Sequence, residues 1–237
     1  LGIRSMKKYM HSYGLNLSMI HHILITHDHA DHIKSVGSIS DSFNIPVYST
    51  QAVHEGIAKN WCVKKKVSPN QVRYVEKGKT QQIGDFTVTP FAVPHDSSDC
   101  VGYCVQCEGI TFTLVTDCGH VTEEICAFVA KANYLVIEAN HEVEKLMAGP
   151  YPLYLKERIT SQIGHLSNAE CARTIVENAT ENLKHVWLCH LSDENNHPEL
   201  ARIAVTSLME SYGLRAGVDF IVEVLRRKIP SEIYDLK

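Results

Sequence analysis

The chain has 237 residues, 44% hydrophobic and 21% charged, with 14 histidines, 8 cysteines and a formal net charge of −4. That length suits one large domain that needs no covalent staples, and the composition excludes disorder and collagen-like repeats. No apolar run approaches the roughly 20 residues of a membrane span, the opening residues lack a secretory leader, and the acidic balance gives no global basic field for nucleic acid.

Ile3, Met6, Met10 and Tyr13 follow helical spacing, and Gly14 is placed to stop the helix. Residues 20–25 form a short apolar run of strand length, which ends in His27-Asp28-His29-Ala30-Asp31-His32. A helical stretch to about residue 43, a strand over 46–49 and a helix over 51–60 complete a strand–helix rhythm typical of layered α/β folds. From 72 to 117 the texture changes. Runs at 72–75, 86–91, 101–105 and 110–115, separated by Gly78, Gly84, Asp85 and Gly109, predict an antiparallel meander.

Alternation then resumes. Thr122 is placed to cap a helix to Lys131, residues 134–137 form a strand, and Ser167 with Glu170 predicts a capping box for a helix to about Asn178. A strand over 186–189, a helix from Pro198 to Tyr212 and a last strand over 220–224 follow. No linker or repeat divides the chain, so residues 1–237 read as one domain.

The six residues 27–32 put imidazoles and carboxylates where a buried strand gives way to a helix, a place suited to ligands because a rigid sheet aims them. Both are ligand types for zinc, manganese and iron. His95, Asp117 and His190 each follow a further strand, and together with the motif they form a constellation at strand C-termini.

The pattern His-x-His-x-Asp-His, then His95, Asp117 and His190, resembles the metallo-β-lactamase superfamily of binuclear hydrolases. Segments such as Val93-Pro94-His95-Asp96, Glu138-Ala139-Asn140-His141, Gly149-Pro150-Tyr151-Pro152 and Gly164-His165-Leu166-Ser167-Asn168 resemble its YycJ/WalJ-like branch. The resemblance implies a four-layer αββα sandwich (α/β, α+β) in a cytoplasmic, metal-dependent hydrolase. It implies two divalent ions, zinc or manganese with iron as an option. His27, His29 and His95 would hold one ion, Asp31, His32 and His190 the other, and Asp117 would bridge them. It also implies phosphodiester or nucleic-acid cleavage by a metal-bridging hydroxide, in the manner of an exonuclease, with DNA favoured. The true β-lactamases lack the bridging aspartate, and the redox-active diiron members carry glutamate where His29 stands. Members of this branch carry about thirty residues, including an opening strand pair, ahead of the first helix; a chain without them leaves a strand edge and an apolar sheet face uncovered.

Beyond the ligands, His165 sits just before a helix N-terminus, suited to holding a phosphate or protonating a leaving oxygen. His141 is a second candidate for substrate or proton work, and Asp96 for fixing the tautomer of a ligand histidine. His120 and His197 read as scaffolding, and His11, His21, His22, His54 and His185 have no constellation around them. The cysteines at 62, 100, 104, 107, 118, 126, 171 and 189 read as free thiols. A zinc knuckle of Cys100, Cys104 and Cys107 is disfavoured because strand alternation splits them between two faces. Cys118, beside Asp117, is a candidate oxidisable thiol. Tyr151 and Tyr154, in a proline-flanked loop, are candidates to stack a base. Lys64-Lys65-Lys66 and Arg226-Arg227-Lys228 read as solvated turns or strand ends. Two other functions fit the same residues: hydrolysis of a thioester, lactone or cyclic phosphodiester, and a non-catalytic metal-binding module in envelope-stress signalling.

Overall fold

The first helix, α1 (Ile3–Ser12), forms where the apolar spacing demands it and ends before Gly14, whose φ of +72° suits a residue without Cβ. Its Ile3, Met6 and Met10 pack on Leu17, Ile39 and Ile45. This computed structural model describes residues 1–227 and 229–237; Lys228 of the second basic run lies outside the described residues. The next elements are β1 (Ile23–Leu24), α2 (Ala30–Ile33), α3 (Val36–Phe43), β2 (Val47–Ser49), α4 (Gln51–Lys59) and β3 (Val72–Tyr74). Strands β1, β2 and β3 pair in parallel as a three-stranded sheet. The segment 72–75 therefore does not belong to the meander. Its alternation identified a strand but carried no information about which sheet it joins.

The meander proper is β4 (Gln81–Ile83), β5 (Phe86–Ala92), β6 (Val101–Cys107) and β7 (Ile110–Val115), paired antiparallel in order. Glu108 and Gly109 close the β6–β7 hairpin with φ of +49° and +79°, the pair of left-handed residues that a tight twisted hairpin needs. Then α5 (Glu123–Ala130), β8 (Tyr134–Glu138), α6 (Val143–Ala148), α7 (Leu153–Ile159), α8 (Asn168–Asn178), β9 (His185–Cys189), α9 (Pro198–Ser211) and β10 (Ile221–Val224) complete the chain. Strands β7 to β10 run parallel, and the seven-stranded sheet has the order β10-β9-β8-β7-β6-β5-β4.

Period-two alternation decides what each face buries. Leu135 and Ile137 of β8 and Val186 and Leu188 of β9 meet Ile125 and Val129 of α5, Ile175 of α8, and Val205 and Met209 of α9 in one buried cluster. Each such side chain contributes roughly 1.5–3 kcal/mol relative to exposure. Val75, Ile83, Val88, Val101 and Tyr103, with Leu24 and Tyr48, fill the space between the sheets, while Val36, Val53 and Ile57 pack α3 and α4 on the small sheet. Helices, sheet, sheet, helices: the layers are the expected αββα sandwich.

The caps hold as expected. Thr122 accepts from Ile125 N and Ser167 with Glu170 forms a full capping box, while Thr50, not expected as a cap, accepts from Val53 N. The stretch around Tyr151 and Tyr154, expected as a proline-flanked loop, runs into α7, with Pro152 as its N-cap. Among the described residues β1 has a strand neighbour on one side only, and an apolar cleft lined by Ile20, Leu24, Ile83, Val88 and Val105 lies near it. Among the described residues no helix is long and apolar enough to cross a membrane.

Topology gathers the site. Strand β6 is antiparallel to both β5 and β7, so β5 runs in the same direction as β7, β8 and β9. Residues just after β5, β7 and β9 (His95, Asp117, His190) and the last residue of β8 (Glu138) therefore lie at one edge of the large sheet. The segment after β1, a loop with His27 and His29 leading into α2 with Asp31 and His32, meets them there.

Candidate metal centre

Two triads with a carboxylate between them occupy that edge. One ligand atom from each of His27, His29 and His95 lies within 4.8 Å of the others, and the same holds for Asp31, His32 and His190. Asp117 stands between the triads. Its Oδ1 is 3.7 Å from His95 Nε2 and 3.4 Å from His190 Nε2, and its Oδ2 is 3.4 Å from His32 Nε2. All seven residues expected as ligands are thus brought to one place.

Second partners set the tautomers. His29 Nε2 donates to the Asp96 carbonyl (3.1 Å) and His95 Nδ1 to the Gly164 carbonyl (3.0 Å). A carbonyl only accepts, so these nitrogens carry the protons. The remaining ring nitrogens, His29 Nδ1 and His95 Nε2, face each other at 3.3 Å with lone pairs to share. His27 Nδ1 meets Thr26 Oγ1 at 3.1 Å, while its Nε2 is buried with no partner. Burial, then the neighbouring His32, His29 and His95, push the His27 pKa down to about 2, so its imidazole is neutral. Facing lone pairs and an orphaned buried nitrogen are what a bound cation satisfies. The donor set fits divalent metal ions. Asp96 serves His29 through its backbone carbonyl; its carboxylate Oδ1 is 3.9 Å away.

In the sequence Glu138 drew notice only as the start of the segment Glu138-Ala139-Asn140-His141. Completely buried at the end of β8, it accepts from His190 Nδ1 at 2.7 Å and His165 Nδ1 at 2.8 Å through Oε1, and from Cys118 N at 2.9 Å and Leu166 N at 3.2 Å through Oε2. Burial opposes its ionisation, but the two imidazoles outweigh it and lower its pKa to about 2. Burial likewise opposes protonation of His190, yet Asp31, Glu138 and Asp117 together raise its pKa to about 11. His190 holds Asp31 well below the usual carboxylate range. Three carboxylates around one imidazole constitute a negative site that calls for cations.

Backbone strain marks the same positions. Asp117 and His190 both have φ of +55°, a conformation that costs a residue with Cβ roughly 1–2 kcal/mol. Thr116 Oγ1 donates to Asp117 Oδ2 at 2.9 Å and Asn140 Nδ2 to the His190 carbonyl at 2.9 Å, holding both. Asp28, inside the motif, turns away from the cluster: its Oδ2 accepts from Ser98 Oγ at 2.6 Å, tying the first loop to the His95 loop. A Cβ on Gly56 would sit 1.9 Å from that carboxylate oxygen, so α4 closes on Asp28 only through a glycine.

His165 is at the site, its ring centroid 5.0 Å from that of His95 and 5.3 Å from that of His190. His141 is placed differently. It is 2% exposed, its carbonyl accepts from Asn168 N, its Nδ1 has no partner, and it belongs to neither triad. His120 Nδ1 donates to the Gln162 carbonyl and His197 caps α9, both scaffolding as expected. All eight cysteines are free. Cys118 is buried and donates to the His120 carbonyl, and burial raises its pKa, so the thiol is not primed for oxidation.

The family model for the "Beta-lactamase superfamily domain" matches residues 5–190. The chain belongs to that superfamily. Within it, the chain is 33% identical over 223 residues to "Exodeoxyribonuclease YycJ" of Bacillus anthracis, covering 92% of this chain and 82% of the relative. It is 36% identical over 200 residues to "Exodeoxyribonuclease WalJ" of Streptococcus pneumoniae serotype 2, covering 84% and 74%. Among solved structures, the metallo-β-lactamase fold protein YhfI of Bacillus subtilis superposes with a TM-score of 0.68 at 16% identity, covering 95% of this chain and 82% of that one. As a β-lactamase-superfamily member with this cluster of histidines and carboxylates, the chain is a metal-dependent hydrolase.

Proposed function

We propose that the chain hydrolyses phosphodiester bonds of DNA in the cytoplasm with two divalent ions, releasing product from strand ends. In this reading His27, His29 and His95 hold one ion, Asp31, His32 and His190 the other, and Asp117 is shared. The Asp117 carboxylate carries the reading, because its two oxygens reach His95, His190 and His32 at 3.4 to 3.7 Å. The names of the two curated relatives support DNA as substrate, and eight unpaired thiols suit a reducing compartment. Zinc or manganese matches the donors, and availability decides between them.

When bound, the ions activate a water and neutralise charge that develops on the phosphate. The chain supplies orientation and the proton. Glu138 fixes Nδ1 of both His190 and His165, which directs His190 Nε2 toward Asp117 and leaves His165 Nε2 on the opposite side of its ring. Burial lowers the His165 pKa, but Glu138 and Asp117 overcome that and raise it, so the ring can hold a proton for the leaving oxygen. His141, buried beside the N-terminus of α8, positions this loop rather than touching substrate.

The test is hydrolysis of single- and double-stranded DNA, RNA, a chromogenic phosphodiester and a thioester by metal-loaded protein. Release of mononucleotides from DNA ends is expected. Cleavage of the thioester alone would move the chain to another ester class, and intact substrates throughout would leave a binding module.

A further inference from the structure

We infer that α7 is the strand-binding platform of this site, with Arg158 holding a phosphate and Tyr154 stacking the adjacent base of a single DNA strand. The inference rests on the nuclease reading above and adds residues to it that no ligand role requires.

Arg158 and Tyr154 are four residues apart on α7, hence on one face and about 6 Å apart along the axis. Both are open to solvent: the Arg158 side chain is 57% exposed and Tyr154 is 72% exposed. An exposed tyrosine that no core needs has a free π-face. The guanidinium is not adrift, because its Nε donates to Asp96 Oδ2 at 2.5 Å. Asp96 Oδ1 lies 3.5 Å from His95 Nε2, so one carboxylate spans from the metal centre to the arginine. That bond uses one of five donors and leaves the Nη fork to meet phosphate oxygens.

The helix is fixed relative to the reacting centre. A Cβ on Gly164 would lie 2.2 Å from the Ile159 carbonyl oxygen and 2.4 Å from that of Arg158, so the end of α7 seats directly on the residue before His165. His165 N donates to the Ile159 carbonyl at 2.9 Å and Asp96 N to the Ile163 carbonyl at 3.1 Å. Lys156 Nζ donates to the Met147 carbonyl at 2.6 Å, tying α7 back to α6. A chain with net charge −4 that acts on a polyanion needs local cations at the mouth of its site, and Arg158 is one. Stacking selects a single strand, because bases inside a duplex already stack on each other.

The experiment compares the metal-loaded protein with Arg158→Ala and Tyr154→Ala on a single-stranded oligodeoxynucleotide and on a small chromogenic phosphodiester. Both residues are exposed, so both variants fold. Arg158→Ala is expected to raise KM for the oligonucleotide and to flatten its dependence on log salt by about 0.7. Tyr154→Ala is expected to raise KM about 5- to 100-fold. Tyr154→Ala leaves kcat/KM for the small ester unchanged. Unchanged KM and salt slope in both variants, with the wild type degrading DNA, would overturn the platform. So would equal losses from Tyr154→Ala on blunt duplex and single strand. If the wild type degrades no DNA, the nuclease reading fails by itself. Fluorescence anisotropy with a hydrolysis-resistant phosphorothioate strand then decides the platform separately: weaker binding by the variants supports it, and equal binding overturns it.

Discussion

Replacing Glu138 by glutamine keeps the shape of the side chain and removes its charge and one acceptor. In the native protein Oε1 accepts from two imidazoles and Oε2 from two backbone N–H groups, all between 2.7 and 3.2 Å. An amide offers one oxygen and one NH2, so the NH2 faces either two backbone N–H donors or two ring Nδ1–H donors that must change tautomer to accept it. Two unsatisfied buried groups at roughly 1–3 kcal/mol each predict a loss of about 2–6 kcal/mol of stability. The same change frees the His190 ring, and loss of a partner behind a ligand histidine lowers metal affinity or activity by about 10–100-fold. Urea unfolding of the metal-free variant and competitive chelator titration of the loaded one measure the two effects separately. A variant with native stability and native affinity for both ions would refute the assignment of Glu138 as the group that orders His165 and His190.

Three other substitutions probe independent parts. Asp117→Ala is expected to lower metal content toward one ion per chain and to abolish turnover; elemental analysis showing two retained ions would refute sharing by Asp117. His165→Ala is expected to keep both ions and lose about 10²–10⁴-fold in rate on DNA, as for a lost general acid, so a fall in metal content would make His165 a ligand instead. Tyr103 is buried between the sheets and its hydroxyl donates to the Ile25 carbonyl at 2.8 Å, two residues before His27. Tyr103→Phe removes that donor and is expected to cost about 0.5–1.5 kcal/mol in urea unfolding while leaving metal content unchanged.

What was legible in the sequence depended on the range of the signal. The capping box, turn glycines and the alternation of β5 to β7 are local, and they appear where the residues predicted them. The pairing of β3 with β2 is a choice between sheets, which alternation cannot express. Helix α7 was hidden by Pro150 and Pro152, which punctuate a loop but also suit a helix entry. The ligands announced themselves by type and by position after strands. Glu138 carried the same signal, an acidic residue closing the apolar run Tyr134-Leu135-Val136-Ile137, yet its role depends on His165 and His190, 27 and 52 residues away. His141 shows the converse: a histidine just after a strand that is buried and joins neither triad.

The proposed DNA hydrolysis depends on two ions shared across Asp117. The most direct measurement is the rate of nucleotide release from linear DNA as ions are returned stepwise to chelated protein, with bound metal counted at each step. Metal-free protein is expected to release nothing, and full activity is expected only as the second ion per chain is bound. Full activity at one ion, or intact DNA with both sites filled, would contradict the proposal.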